Sequence, residues 1–256
     1  MISLLPNIRI IMINTTLPAN IGSTARAMHT MGLSDLVVVN PRLPIDDTSI
    51  ANSAGGVSVL KNARIVATLD EAIGDCSLIF ASSARSRHLP RPVINPAQSA
   101  DMMGCFLQNH PNTHIAILFG REDRGLTNDE LSLADYHIQI PANPNYPVLN
   151  VASSVQVITS NIYAHFTHKV QTNTPQNDLT ATIRTDWDNP AITHAQRLSL
   201  QDNFTKLLIN LNLARDNELK DLPNRLSRLN SRLQLDQKEY ALLQALIAKL
   251  HKSIMP

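Results

Sequence analysis

The chain reads as an α/β protein built on a parallel sheet and followed by an α-helical extension. Three observations predict this. Short apolar runs alternate with helical patterns from the first residues to about residue 166. The runs are near-continuously apolar, as strands buried on both faces must be. Beyond a polar stretch at 169–189 the pattern turns helical and stays so. With 256 residues, 43% of them hydrophobic, the chain can bury a sizeable core in one large domain and a smaller one.

The predicted strands are Ile8–Ile13, Leu36–Val39, Leu78–Ala81, Ile115–Phe119 and His137–Ile140. After the first comes "INTTLPANIGSTARAMHTMG". Asn20 is placed to cap a helix from about Ile21, Gly22 to let backbone or ligand approach closely, and Gly32 to end the helix at C′. Arg26 falls four residues past Gly22, on the same face. A strand leading into such a helix start suits an anion. A capped surface helix with a solvated arginine fits equally well.

In "ILFGREDRGLTNDEL", Gly120 ends a strand and Gly125 precedes a helix whose Thr127 and Glu130 match a capping box. Between the glycines lie Arg121, Glu122, Asp123 and Arg124. A charged loop at a strand's carboxyl end is where open α/β sheets bind ligands; a solvated turn is the plain alternative. In "IQIPANPNYPVLNVASS", Pro141, Pro144 and Pro147 stiffen the connection that follows the last strand. It leads into a helix with Val151, Val155, Ile158, Ile162 and Phe166 on one stripe.

"ASSARSRHLPRP" gathers Arg85, Arg87, His88 and Arg91 after the third predicted strand, a phosphate-binding set or a solvated loop. In the extension, "LPNRLSRLNSRL" places Leu222, Leu226, Leu229 and Leu233 on one stripe, with Arg225, Arg228 and Arg232 beside it. Such arginines form a solvated face unless the partner is a polyanion.

Other classes are excluded. A net charge of +1 rules out a strongly basic binder, and 4% aromatics leave few stacking platforms for nucleic acid. Cys76 and Cys105 form no paired C-x-x-C and two cysteines make no zinc or disulfide framework, and the nine histidines show no metal spacing. "MISLLPNIRIIMIN" is broken by Arg9 and reads as a strand rather than a signal peptide. No stretch approaches the ~20 apolar residues of a membrane span, so a soluble cytoplasmic protein is expected. Neither a Walker loop, a G-x-S-x-G elbow nor a G-x-G-x-x-G turn is present.

Taken together and in order, "NIGSTARAMHTMG", "LFGREDRGLT" and "IPANPNYPVLNVASSVQV" resemble the three motifs of the SpoU branch of the SPOUT RNA methyltransferases. "SARSRHLP" and the basic C-terminal helices are similar, more narrowly, to members that methylate cytidine or uridine 32 of tRNA. The resemblance implies a sheet with a C-terminal trefoil knot, which general connection rules would argue against. It implies a methyltransferase domain at 1–168, a linker at 169–189 and an RNA-binding helical extension at 190–256. It further implies a homodimer that binds S-adenosyl-L-methionine in the knot and methylates a ribose 2′-OH of tRNA without a metal.

By the same resemblance, Asn20, Arg26, Glu122 and Asn150 match the catalytic positions. Backbone around Ser82, Ser83 and Ala84, then Gly120, Ile140, Pro147, Val148 and Leu149, would hold the cofactor. Arg85, Arg87, Arg91, Arg225, Arg228 and Arg232 would bind RNA. One departure stands out: the family's usual serines before Leu149 and Asn150 are Pro147 and Val148 here, and Pro147 supplies no N–H. Methylation of ribosomal RNA, or a non-catalytic cofactor- and RNA-binding knot protein, are the rival readings. The retained Asn20, Arg26, Glu122 and Asn150 favour an enzyme.

Overall fold

In a computed structural model of the chain, residues 2–83, 91–167, 184–214 and 222–254 are described. The chain forms two compact units, Met1–Thr174 and Pro175–Pro256.

Among its described residues the first unit carries seven strands: β1 (Ile8–Ile13), β2 (Asp35–Val39), β3 (Arg64–Val66), β4 (Cys76–Ser82), β5 (Val93–Ile94), β6 (His114–Phe119) and β7 (Tyr136–Ile138). All pair in parallel, in the order β3-β2-β1-β6-β4-β7-β5. The five expected strands are there, with ends shifted by at most two residues. The short β3 and β5 are additional edge strands that carry no apolar run to signal them.

Every residue of β1 is buried, and its side chains alternate between two cores. Ile8, Ile10 and Met12 join a cluster on one face with Ile21, Met28, Met103, Val155, Ile158 and Phe166. These come from α1 (Pro18–Thr30), α5 (Pro96–Asn109) and α7 (Val151–Thr167). Ile11 and Ile13 join the other cluster with Ala72 and Leu131, from the short α4 (Leu69–Ile73) and α6 (Asn128–Ser132). The expected stripe of α7 is buried at all five positions. Two short helices, α2 (Asp47–Ser53) and α3 (Val57–Lys61), lie between β2 and β3 in sequence. The strand order runs outward from β1 through β2 to β3, then resumes beyond β6. The reversal therefore falls between β1 and β6, where open α/β sheets form their ligand crevice.

Arg9 also belongs to β1 and is 3% exposed. Its Nε donates to Asp35 Oδ2 at 2.7 Å, Nη2 to Asp75 Oδ2 at 2.9 Å, and Nη1 to the Ala72 carbonyl at 2.8 Å. A buried guanidinium is tolerated only when its donors are filled. Here they are filled by groups that start β2 and precede β4, so the charge clamps the amino ends of the strands, away from the crevice.

The second unit holds α8 (His194–Asn210), α9 (Leu222–Leu233) and α10 (Gln237–Ile254) around a small core of Leu200, Leu207, Leu235 and Ile247. Thr193 and Gln196 form the capping box of α8. Asp236 Oδ1 accepts from the Lys238 and Glu239 N–H groups at the start of α10. Arg184 donates to Glu239 at 2.7 Å and lies 4.9 Å from the centre of the Trp187 ring. The leucine stripe of α9 is present, but it is not the buried face: Leu229 and Leu233 are 45% and 46% exposed. Asn230 of α9 is buried instead, and its amide donates to the Arg197 carbonyl at 2.9 Å.

The clamp predicts a pH dependence. Hydrogen bonding to Arg9 pulls the Asp75 carboxyl down to about 2. A depressed pKa contributes stability that is full above the unfolded value, near 4, and is lost as pH falls toward 2. Asp75→Asn should lower stability at pH 7 by about 1–2 kcal/mol, the charged hydrogen-bond range discounted for a carboxylate open to solvent. Urea unfolding between pH 7 and pH 2.5 should show a shallower acid decline in the variant than in the parent.

Candidate active site

The residues that follow β1 and β6 meet at the carboxyl edge of the sheet, where the chain entering α7 joins them. Glu122 is their common point. Thr16 donates to Glu122 Oε2 through its N–H at 3.0 Å and its hydroxyl at 2.6 Å. Leu17 N–H and the Asn20 amide donate to Oε1 at 3.4 and 2.8 Å. Asn20 Oδ1 then accepts from the Asn150 amide at 3.0 Å. Asn150 Oδ1 accepts from the N–H groups of Ala152 and Ser153 and so closes the start of α7. The relay thus joins Asn20, Glu122 and Asn150, one residue from each of the three motifs.

Burial works to raise the pKa of Glu122, but the hydrogen bonds from Thr16 and Asn20 outweigh it and hold the carboxyl below its usual range. Glu122 is therefore an anion with its acceptor sites taken. It is built to hold position and is poorly suited to remove a proton.

The loop between β6 and α6 explains why Glu122 points inward. Arg121 makes a bidentate pair with Glu130 at 3.0 Å and donates to Asn14 Oδ1 at 2.8 Å. Gly125 has φ of +70°, and its N–H returns to the Arg121 carbonyl at 2.9 Å. A Cβ on Gly120 would stand 2.2 Å from the Gly125 carbonyl carbon, so the loop closes only over a glycine. Thr127 and Glu130 form the expected capping box. Asp123 and Arg124 are exposed and pair with each other.

Asn20 differs from the sequence expectation. The helix α1 starts at Pro18, a residue suited to the first helical position, and its N-cap Leu17 makes no side-chain cap. Asn20 is inside the helix, 6% exposed, and binds Glu122 and Asn150 instead. Pro18 was the available signal for the true start. Gly22 gives room to protein backbone and not to a ligand: a Cβ there would lie 2.0 Å from the Ser49 carbonyl oxygen. Gly32 follows the C-cap Met31 with φ of +70°, as expected. Thr16 was missed; its only sequence signal is a threonine pair just before the helix.

Beside this relay opens a cleft continuous with solvent. Ser82, Ser83, Gly120, Ile140, Pro147, Val148 and Leu149 all line it, together with Phe119, Leu126, Ser154 and the charged residues 121–124. Ala84, Arg85 and Arg87 lie outside the described residues. The lining mixes strand-end backbone and the charged 121–124 loop with apolar Phe119, Leu126, Ile140 and Leu149. Such a lining suits a small molecule with both apolar and polar groups. Arg26 is not part of the lining. It is exposed on α1 and makes no side-chain hydrogen bond or ion pair among the described residues. Arg91 donates to the Ser132 carbonyl at 2.9 Å, at the end of α6. Arg225, Arg228 and Arg232 are exposed on α9, which carries no acidic residue.

Among the described residues no group of His, Cys, Asp or Glu is arranged to hold a metal, and no helix is long and apolar enough to cross a membrane. Burial pushes the Cys76 thiol up to about 11.

Residues 7–160 match the model of the SpoU rRNA methylase family. The chain belongs to the SpoU methylase family. Its relatives include a protein of Salmonella choleraesuis named tRNA (cytidine/uridine-2′-O-)-methyltransferase TrmJ, 37% identical over 252 residues, 97% of this chain and 98% of that one. Among solved structures it is similar to a probable methylase family protein from Haemophilus influenzae, with 37% identity, TM-score 0.60 and 98% of both chains covered. TrmJ from Z. mobilis is 25% identical, with TM-score 0.57 and 94% of this chain and 98% of that chain covered. This SpoU methylase thus shares its full length, helical extension included, with such relatives.

The relay makes Glu122 the site's most sensitive neutralisation. In Glu122→Gln the new NH₂ must face either the Thr16 or the Asn20 donors. One unmade bond there costs about 1–3 kcal/mol of stability, measured by urea unfolding. Methyl transfer should fall by at least about tenfold, the lower bound of a misplaced site. The shape of the pH–rate profile between about pH 6 and 9 should not change, because a carboxyl held below its usual range is ionised throughout.

Proposed function

We propose that this SpoU methylase transfers a methyl group from S-adenosyl-L-methionine to a ribose 2′-OH of tRNA, at nucleotide 32 of the anticodon loop, and works as a homodimer. The observation that carries the reading is the hydrogen-bonded relay of Asn20, Glu122 and Asn150 beside the cleft. A passive binder has no need to wire three distant segments to one anion. The near full-length likeness to proteins named as tRNA methyltransferases favours tRNA over ribosomal RNA.

Ser82, Ser83, Gly120, Ile140 and Leu149 would hold the cofactor, with Pro147 and Val148 contributing apolar contact where the family's serines would offer hydroxyls. When bound, S-adenosyl-L-methionine supplies a methyl on a sulfonium, already a good leaving group. The remaining difficulty is the ribose hydroxyl, a weak nucleophile until its proton is lost. A guanidinium offers donors and no acceptor, so Arg26 serves better as a cation than as a base. It would grip the adjacent phosphate and stabilise the developing alkoxide. Since Arg26 does not line its own chain's cleft, either the ribose bridges the two or the second copy supplies the arginine. The 139–150 connection, returning from β7 to reach Asn20 through Asn150, supports the C-terminal knot as part of the same proposal. The described basic face of α9 supports RNA binding by the helical unit.

The test is methyl transfer from labelled donor to unmodified tRNA and ribosomal RNA pools, followed by mapping of the modified nucleotide. Label confined to ribosomal RNA, or absent from both, would overturn the proposal.

Two variants sharpen it. Arg26→Ala should abolish transfer while donor affinity, measured by calorimetry, stays near the parent's. Arg26→Lys should also be poor, because an ammonium lacks the planar fork.

Replacing Arg225, Arg228 and Arg232 by glutamine should weaken tRNA binding. Every arginine that pairs with a phosphate should, once neutralised, flatten the log–log salt slope by roughly 0.7 to 0.9, read by filter binding across a salt series.

A further inference from the structure

We infer that the segment following β2 holds Arg26 in place, through the backbone at Gly56 and Ser49, and that Gly56 is a positioning residue for methyl transfer. The inference rests on the proposed role of Arg26.

Helix α1 meets this segment with main chain against main chain. A Cβ on Gly22 would lie 2.0 Å from the Ser49 carbonyl oxygen. A Cβ on Gly56 would lie 2.6 Å from the Ala25 carbonyl oxygen and 2.7 Å from the Arg26 nitrogen. The two contacts are one helical turn apart, and the second falls on the peptide that joins Ala25 to Arg26. Ser49, fully buried, adds a third hold: its hydroxyl donates to the Pro18 carbonyl at 2.9 Å, in the first turn of α1. Ser49 is itself fixed by a capping box with Asp46.

The approach to Gly56 is strained. Ala54 has φ of 44° and ψ of −119°, in the region that favours glycine. Strain of this kind persists where surrounding structure over-determines it, and it clusters at functional sites. Side-chain packing leaves some slack, because rotamers can adjust. Peptide groups in direct contact do not, so α1 cannot slide or turn without collision. The Arg26 side chain remains exposed while its backbone is gripped from behind.

Gly55 supplies an internal control. A Cβ there would meet only His29 Cδ2, at 3.9 Å, an ordinary contact. Gly55→Ala and Gly56→Ala thus add the same methyl to adjacent residues, and only the second pushes on Arg26. To accept it, α1 or the Gly56 segment must shift at Ala25, because backbone atoms at 2.6 Å leave no room for a Cβ. Misplacement of a reacting group by about 1 Å costs on the order of a hundredfold in rate.

The experiment measures kcat, KM for tRNA, donor affinity and thermal midpoint for the full chain and for Gly55→Ala, Gly56→Ala and Ser49→Ala. Gly56→Ala should lower kcat by about tenfold to a hundredfold with donor affinity and KM nearly unchanged, while Gly55→Ala matches the parent. A folded Gly56→Ala with the parent's kcat overturns the inference. So does a loss of donor affinity that accounts for the whole fall in rate, since that marks general damage. If Gly56→Ala does not fold, Ser49→Ala decides. A several-fold lower kcat at unchanged donor affinity supports the inference, and an unchanged kcat overturns it. A parent chain that transfers no methyl to any RNA sinks the proposed function and this inference with it; an active parent confines every variant's result to the inference alone.

Discussion

An ionised carboxylate beside the crevice, Glu122, sets the orientation of almost everything around it. An anion accepts and cannot donate, so the Asn20 amide must turn its NH₂ toward Glu122 and its oxygen toward Asn150. Asn150 must then donate to Asn20 with its NH₂, which leaves its oxygen for the free N–H groups that open α7. One charge therefore dictates the direction of two amides and the cap of a helix. It also draws the Thr16 and Leu17 N–H groups inward, which sets the chain's entry into α1. The order of the three motifs in space is the order in which hydrogen bonds can be passed along this line.

Two arginines show how the same side chain is put to opposite uses. Arg9, at the amino end of the sheet, is buried and spends its donors on Asp35, Asp75 and the Ala72 carbonyl. Buried and bonded in this way, it holds strands together. Arg26 is exposed and unpaired among the described residues, while the peptide beneath it is packed against Gly56. A fixed backbone under a free cation suits a group that must meet a phosphate or an alkoxide. Arg121 lies between these cases: its pairing with Glu130 shapes the loop that presents Glu122.

Much of the fold was legible because burial on both faces of a parallel sheet demands runs such as Ile8–Ile13 and Ile115–Phe119. The Thr127–Glu130 box and the stripe from Val151 to Phe166 were legible for the same local reason: each obeys a period or a spacing within one element. Strands β3 and β5 were not, since exposed edges carry no such signature. In α9 the leucine pattern was legible, yet which side of the helix becomes buried was not, and Asn230 rather than the stripe took that place.

The sequence by itself determined the element types, the parallel sheet and, through three ordered motifs, the family. It named Asn20, Glu122 and Asn150 as matches to catalytic positions without saying what they bond to, and a local rule made Asn20 a helix cap. Only the tertiary structure decided that it bridges residues 102 and 130 positions away. The physical reason is that propensity and capping act over a few residues, whereas a hydrogen bond or a backbone contact depends on which distant segments the sheet brings together. No spacing along the chain encodes that Gly56 lies against Arg26 or that Thr16 faces Glu122; those contacts exist only once β1, β2 and β6 are in register.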